Sequence, residues 1–313
     1  MKNIFLALES GSMEQQRKKK TVAYAIIITT VALIISLTVF LISGIVSLFG
    51  GDGEKDNNKK NDLFETVTTT FSEKEKNNGT LLLLDDNHPY RGDMGIILIR
   101  DAKDRPKTNG GTYIYTIGGT TTLGATTETV TAFNQMMADF YADASSGKDD
   151  NIYIDKACNI TSTSQSELFA SGLCLALTYY QDYTADPNNR PSIYGVEKYK
   201  WIYENAHKYG FVQLYSASSD GSSVADANIF RYVGVPHATY MKNQGLNFEQ
   251  YLEALKATSP ENPLSVMTAE GEKYIYYIAA DGAQLIPKNN TYSVSGDNSG
   301  GYIITVNADT TVS

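Results

Sequence analysis

His88, His207 and His237 are the three histidines of this 313-residue chain, and Cys158 and Cys174 are its two cysteines. A structural or catalytic zinc site draws three or four such groups together, with signatures such as His-Glu-x-x-His or Cys-x-x-Cys. Neither spacing occurs, and there is no Gly-x-Ser-x-Gly nucleophile elbow and no phosphate-binding loop. Each histidine stands alone in its segment and reads as a surface residue. The cysteines leave two readings open, a single structural disulfide or two separate buried thiols, and without histidine partners they make a poor metal site. Met136 and Met137 lie in an apolar stripe of helical spacing, which reads as packing rather than a soft-metal site. Arg91-Gly-Asp93 could engage an integrin but reads as a chance occurrence.

The formal charge of -9 and the lack of a Lys/Arg stripe beyond the N-terminus exclude nucleic acid as a partner, since neutralising phosphates needs clustered cations. Residues 21–49 carry no charge and are rich in Ile, Val, Leu and Phe. At 1.5 Å per residue such a helix spans the roughly 30 Å of a bilayer core with some tilt. A cleaved signal peptide would have a shorter apolar run and a small-residue cleavage site, and Ser47-Leu-Phe-Gly-Gly51 supplies neither. Arg17, Lys18, Lys19 and Lys20 precede the span while Asp52, Glu54 and Asp56 follow it. The expectation is therefore a single-pass cell-membrane protein, with residues 1–20 as a cytoplasmic basic tail and everything after residue 49 outside, where disulfides persist.

Residues 50–78 are polar and mixed in charge and read as a flexible linker, with Leu63, Phe64 and Val67 as apolar islands. The folded part runs over 79–260. Thr80-Leu-Leu-Leu-Leu84 has the length of a strand, closed by the turn-forming Asp85-Asp-Asn-His-Pro89. Val130, Phe133, Met136, Met137, Phe140 and Tyr141 predict a core helix over 126–144. A second helix runs from Glu197 to Tyr209 and stops at Gly210 in a left-handed cap, and a third starts at Asn247 with Gln250 completing a capping box. Alternating runs at 274–278, 291–294 and 302–306 make 264–313 a β-rich extension.

The helix Trp201-Ile-Tyr-Glu-Asn-Ala-His-Lys-Tyr-Gly-Phe211 and the strand Phe230-Arg-Tyr-Val-Gly234 resemble the VanY-type D-alanyl-D-alanine carboxypeptidases, a family of bacterial cell-wall zinc peptidases. Their corresponding motifs read W-x-x-x-N-A-x-x-Y-G-F and E-x-W-H-x-R-Y-V-G. The resemblance implies an α+β fold: a carboxypeptidase-like core of helices against a small antiparallel sheet, here preceded by a transmembrane helix and followed by the β extension. The family holds zinc with a His and an Asp from S-x-H-x-x-G-x-A-x-D and a second His from the Trp-His pair, and a Glu serves as general base. Matched on Gly172 and on Arg231-Tyr-Val-Gly234, the ligand slots fall on Phe169, Ala176 and Ile229, none of which can coordinate a metal. Glu167 takes the serine slot, Cys174 the alanine slot and Asn228 the tryptophan slot. Asp226 takes the general-base slot, one methylene shorter than the family's glutamate and without a metal-bound water to act on, and reads rather as a solvated surface or turn residue. Two family arginines suited to a substrate carboxylate map to Asn159 and Leu214.

The resemblance thus implies a scaffold without its cofactor: no zinc, no catalytic residue, and a vestigial cleft in which Asp226, Arg231 and Tyr232 are the candidate ligand-binding residues. Its partner would be a peptidoglycan stem peptide or an envelope protein. The competing expectations are an active cell-wall metallopeptidase with a non-standard site, and a purely structural partner in a membrane complex.

Overall fold

Thr126 accepts a hydrogen bond from the Thr129 amide and so starts helix α2 (Thr127–Ala142), whose Val130, Phe133, Met136, Met137 and Phe140 recur every three or four residues and are all buried. In a computed structural model, which describes residues 63–118, 122–179, 192–214 and 228–311, this stripe is the floor of the main core. The basic tail, the apolar span at 21–49 and Asp226 lie outside the described residues, among which no helix is long and apolar enough to cross a membrane.

The stripe packs on a five-stranded sheet of order β3-β5-β7-β9-β8. Its strands are β3 (Tyr115–Ile117), β5 (Ile152–Lys156), β7 (Cys174–Tyr179), β8 (Phe211–Gln213) and β9 (Ile229–Tyr232). β3 runs parallel to β5, and the other pairs are antiparallel. Strand side chains alternate between faces, and β7 is buried on both. Leu175 and Leu177 join the helix side, while Cys174 and Ala176 form a second cluster with Ile229 and Leu173. A separate sheet of β2 (Ile96–Leu98), β4 (Leu123–Thr126) and β6 (Cys158–Asn159) leads into α2.

The helix expected over 197–209 is broken into 3-10 turns at Glu197–Tyr199 and Ala206–Tyr209 around a short α4 (Lys200–Asn205). Asn205 Nδ2 donates to the Trp201 carbonyl at 2.8 Å, and Trp201 packs against Phe140 and Tyr209. Gly210 has φ +82°, and a Cβ there would meet the Tyr232 ring at 2.8 Å and the Gly234 backbone at 2.9 Å. The amides of Val233 and Gly234 both donate to the Gly210 carbonyl. Tyr-Gly-Phe and Arg-Tyr-Val-Gly are therefore two halves of one lock, which is why they occur together in the sequence.

Helix α5 (Val235–Gln244) follows directly, and α6 (Phe248–Leu255) starts with the expected Asn247/Gln250 capping box. The extension is a four-stranded antiparallel sheet of order β10-β11-β14-β13, made of β10 (Leu264–Thr268), β11 (Gly271–Ala279), β13 (Asn290–Gly296) and β14 (Gly301–Thr311). Val266, Ile275 and Ile303 share a core with Met241, Tyr251 and Leu255, so the sheet is fused to the helices.

Two expectations differ. From Leu63 on, the supposed linker is structured: β1 (Thr66–Thr69) pairs with β12 (Gln284–Pro287), and α1 (Glu73–Lys76) carries a capping box between Ser72 and Glu75. Phe64 stacks on Tyr276 and Phe71 packs at a tilt against Tyr302, covering the sheet face away from the helices. Burying one such ring contributes about 1.5–3 kcal/mol, which offsets the ordering cost of a polar segment. The run at 80–84 is also not a strand in any of the sheets. Leu81 and Leu82 are both buried, which a half-exposed strand would not allow, and the backbone finds side-chain partners instead: the Leu81 amide donates to Ser295 Oγ, and the carbonyls of Thr80 and Leu82 accept from Arg231.

Candidate ligand cleft

β7 and β9 lie side by side in antiparallel register, with Ala176 opposite Ile229 and Cys174 opposite Arg231. The short helix α3 (Glu167–Ala170) ends near them and adds Phe169. The three residues matched to the ligand slots, scattered over 60 positions of sequence, therefore meet in one apolar cluster with Leu173, Leu168 and Leu214. Phe169 and Ile229, but not Ala176, border a cavity of about 530 Å³ whose walls also include Arg231, Phe248 and the exposed Asp86 and Glu249. Phe169 also lines a second cavity of about 470 Å³, where Asn159 sits. Leu214 is in the first. The two slots of the expected arginines thus face different spaces, with the Phe169 ring between them.

Arg231 is only 2% exposed, although its sequence position suggested a ligand contact. Nη2 donates to the Thr80 carbonyl at 3.2 Å and to the Leu82 carbonyl, and the guanidinium lies 3.9 Å from the centroid of Phe248. Its Nε–H is buried without an acceptor. No carboxylate pairs with it among the described residues. Burial pulls its pKa down to about 10, so it remains a cation at neutral pH. Tyr232, the next residue, is half-buried against Phe211 and lines a different cavity of about 440 Å³ with Glu128 and His237. Burial, then the nearby Glu128 charge, raises its phenol pKa. The two described candidate residues are thus placed in separate spaces.

His237, expected at the surface, is buried: Nδ1 lies 2.7 Å from the Tyr251 hydroxyl and Nε2 lies 3.1 Å from Thr305 Oγ1. It ties α5 to α6 and to β14, and burial pushes its pKa down to about 3. His88 is half-buried, with Nδ1 2.8 Å from Asp85 Oδ1, and His207 is half-buried at the end of its helix. Both cysteines are buried free thiols, which decides between the two readings left open by the sequence. Burial raises the Cys174 pKa to about 12, so it is a packing residue and not a nucleophile.

Comparison with known proteins bears on this geometry. A D-alanyl-D-alanine carboxypeptidase of Enterococcus faecium is 39% identical over 113 residues, 34% of this chain and 36% of that protein. Another so named, from Enterococcus faecalis strain ATCC 700802 / V583, is 35% identical over 66 residues, 20% of this chain and 24% of the other. The crystal structure of the vancomycin-resistance D,D-dipeptidase VanXYg, in complex with a D-Ala-D-Ala phosphinate analogue, superposes with a TM-score of 0.53. It covers 77% of this chain and 99% of VanXYg at 21% identity, which speaks to the fold alone. Over these segments the chain is similar to proteins named D-alanyl-D-alanine carboxypeptidase. The matches span about a third or less of the curated relatives' length. No family model matches.

The residues present do not fit the zinc of the VanY-type family. Phe169, Ala176 and Ile229 bring no donor atom to the point where they meet, and no group of three or more His, Cys, Asp or Glu able to hold a metal occurs among the described residues. Sequence reasoning missed the buried state of Arg231 and the His237 bridge. For Arg231 a signal was present: in a strand whose neighbours Phe230 and Val233 are core residues, a charged side chain has few ways out. His237 gave none, because its partners Tyr251 and Thr305 lie 14 and 68 residues away.

Proposed function

We propose that this protein is a zinc-less, membrane-anchored relative of the VanY-type carboxypeptidases that binds a cell-wall stem peptide, or an envelope protein presenting similar chemistry, without hydrolysing it. The observation that supports this reading is the convergence of Phe169, Ala176 and Ile229 into one apolar cluster at the place where three ligands are required. A lone substitution would be a defect. Three that meet and pack together form a coherent replacement of a polar site by apolar surface. In this reading the uncharged span at 21–49 holds the protein in the cell membrane with the folded part outside.

The test is metal analysis of the purified full-length protein together with sedimentation against peptidoglycan sacculi. Zinc well below stoichiometry and co-sedimentation are expected. Stoichiometric zinc with release of D-alanine from a stem peptide would sink the proposal in favour of an active carboxypeptidase, a reading on whose side stands the 39% identity to a protein of that name. Indifference to sacculi, with specific capture of an envelope protein, would favour a structural partner.

A further inference from the structure

Successive side chains of a strand face opposite ways, so β9 has a second side. Ile229 and Arg231 border the cleft, whereas Phe230 between them joins the helix-side core and lines a separate cavity of about 310 Å³. That cavity lies between the 3-10 turn at Ala206–Tyr209, β8, β9 and α5. Its size is at the lower end of small-molecule sites. Phe211, Phe230, Ala238 and Met241 are buried and give it an apolar floor. The polar part of the wall is one-sided: Lys242, His207 and Gln213 line it and no Asp or Glu does, in a chain of net charge -9. Lys242 is exposed and in no ion pair among the described residues. Nor is its ammonium needed to cap α5, because the amides of Gly245 and Leu246 already donate to the carbonyls of Lys242 and Met241. Burial, then the charges of Lys242 and Lys208, hold the His207 pKa below its ordinary value. The ring is therefore neutral at pH 7 and has one N–H to donate.

We propose that this cavity binds a small monoanion with an apolar body, an aryl or short alkyl acid, whose body lies against Phe211, Phe230 and Met241 and whose acid group meets Lys242 and His207. An apolar floor beside an unmatched cation selects that chemistry: the body leaves water while the acid makes a charge-assisted contact. A neutral ligand forgoes the second gain, and a bare anion forgoes the first. The site is on the other side of β9 from the cleft and needs nothing of the cleft's occupant, so it goes beyond the function proposed above and stands or falls apart from it.

The three histidines make the test local. His207 lines this cavity, His237 lines the one of about 440 Å³, and His88 is bonded to Asp85, which lines the cleft. Full-length protein with isotope-labelled histidine rings, held in lipid nanodiscs, is titrated with benzoate, benzamide and acetate and followed by NMR of the ring protons. Benzoate should shift the His207 signals saturably at about millimolar concentration, the range open to so small a ligand, and leave those of His88 and His237 in place. Benzamide, the same shape without the charge, should bind at least about tenfold more weakly, the scale of losing a charged hydrogen-bonded contact. Acetate, the charge without the body, should also fall at least about tenfold. Lys242→Gln, at an exposed position, should bring benzoate down to the level of benzamide, with unchanged His88 and His237 signals showing that the variant is folded. No saturable shift of His207 overturns the site, and so does a response led by His88 or His237. Benzamide equal to benzoate overturns the anion requirement, as does a Lys242→Gln protein that keeps the preference for the acid, and acetate equal to benzoate overturns the apolar floor. If the variant does not fold, the wild-type comparison of the three probes still decides.

Discussion

Arg231 and Asp297 are both buried charges, each 2% exposed, and both hold the same short segment at Thr80–Leu83. Their surroundings are opposite. Asp297 Oδ1 accepts from the amides of Ser299, Gly300 and Gly301 at 2.8–2.9 Å, and Oδ2 accepts from Ser299 Oγ and the Tyr277 hydroxyl. Burial alone would raise its pKa, but the Ser299 and Gly301 hydrogen bonds outweigh it and hold the carboxyl below the usual range. Arg231 has a ring and two carbonyls but, among the described residues, no salt-bridged carboxylate. Both oxygens of the Asp297 carboxylate are thus used, while Arg231 keeps a buried Nε–H with no acceptor. Matched hydrogen-bonding capacity, not charge itself, distinguishes the two regions.

The largest effect should come from Asp297→Ala, which strips acceptors from three amides and two hydroxyls. A loss of about 3–5 kcal/mol in urea-induced unfolding is expected, the scale of breaking a buried charged network. A loss below that of an ordinary surface substitution would end the comparison at once. His237→Ala should follow, at about 2–4 kcal/mol, because it leaves the Tyr251 hydroxyl without its partner in a dry core. His237 also sets an acid limb. Its pKa is near 3 in the fold and about 6.5 in an unfolded chain, so the unfolded state binds the proton more readily. Its contribution is complete above about pH 6.5 and is lost as pH falls toward 3, and Asp297 adds a further loss below about pH 4. Thermal unfolding across that range should show the decline in the wild type and a shallower one in His237→Ala.

Arg231→Met should cost less than Asp297→Ala, about 1–3 kcal/mol, since it strands the Thr80 and Leu82 carbonyls but no partner charge, and the side chain can fill the same space beside Phe248. Were it to cost as much as Asp297→Ala, the contrast between the two regions would be false. The smallest effect should be that of a chelator, which should leave wild-type thermal unfolding unchanged. The triple variant Phe169→His, Ala176→Asp, Ile229→His should in contrast acquire a zinc-dependent rise in melting temperature, because metal bound only by the folded state stabilises it. If the triple variant ignores zinc, the slots have been matched to the wrong residues.

Much of the core was legible because its signals are local. The stripe on α2, the Asn247/Gln250 box and the left-handed Gly210 each state their role within a few residues of sequence. The leucines at 81–84 misled, since a run of identical apolar residues fits a strand by length and says nothing about partners for its carbonyls. The Phe64–Phe71 segment misled through its composition, because the surface these rings cover is built about 200 residues later. At the cleft, the apolar character of Phe169, Ala176 and Ile229 was legible in their residue types. Only three-dimensional placement could show that Arg231 and Tyr232, adjacent in the chain, serve different cavities.

The docking of residues 63–76 onto the far face of the C-terminal sheet has a mechanical consequence. A pull on the chain from upstream of Leu63 meets the four register pairs Thr66–Thr69 with Pro287–Gln284 and the rings of Phe64 and Phe71 before it meets anything else. That load passes into β11, β13 and β14, whereas β7 and β9, which carry the cleft, belong to another sheet. Any load entering at Leu63 is therefore met first by a pairing in a different sheet from the strands that line the cleft.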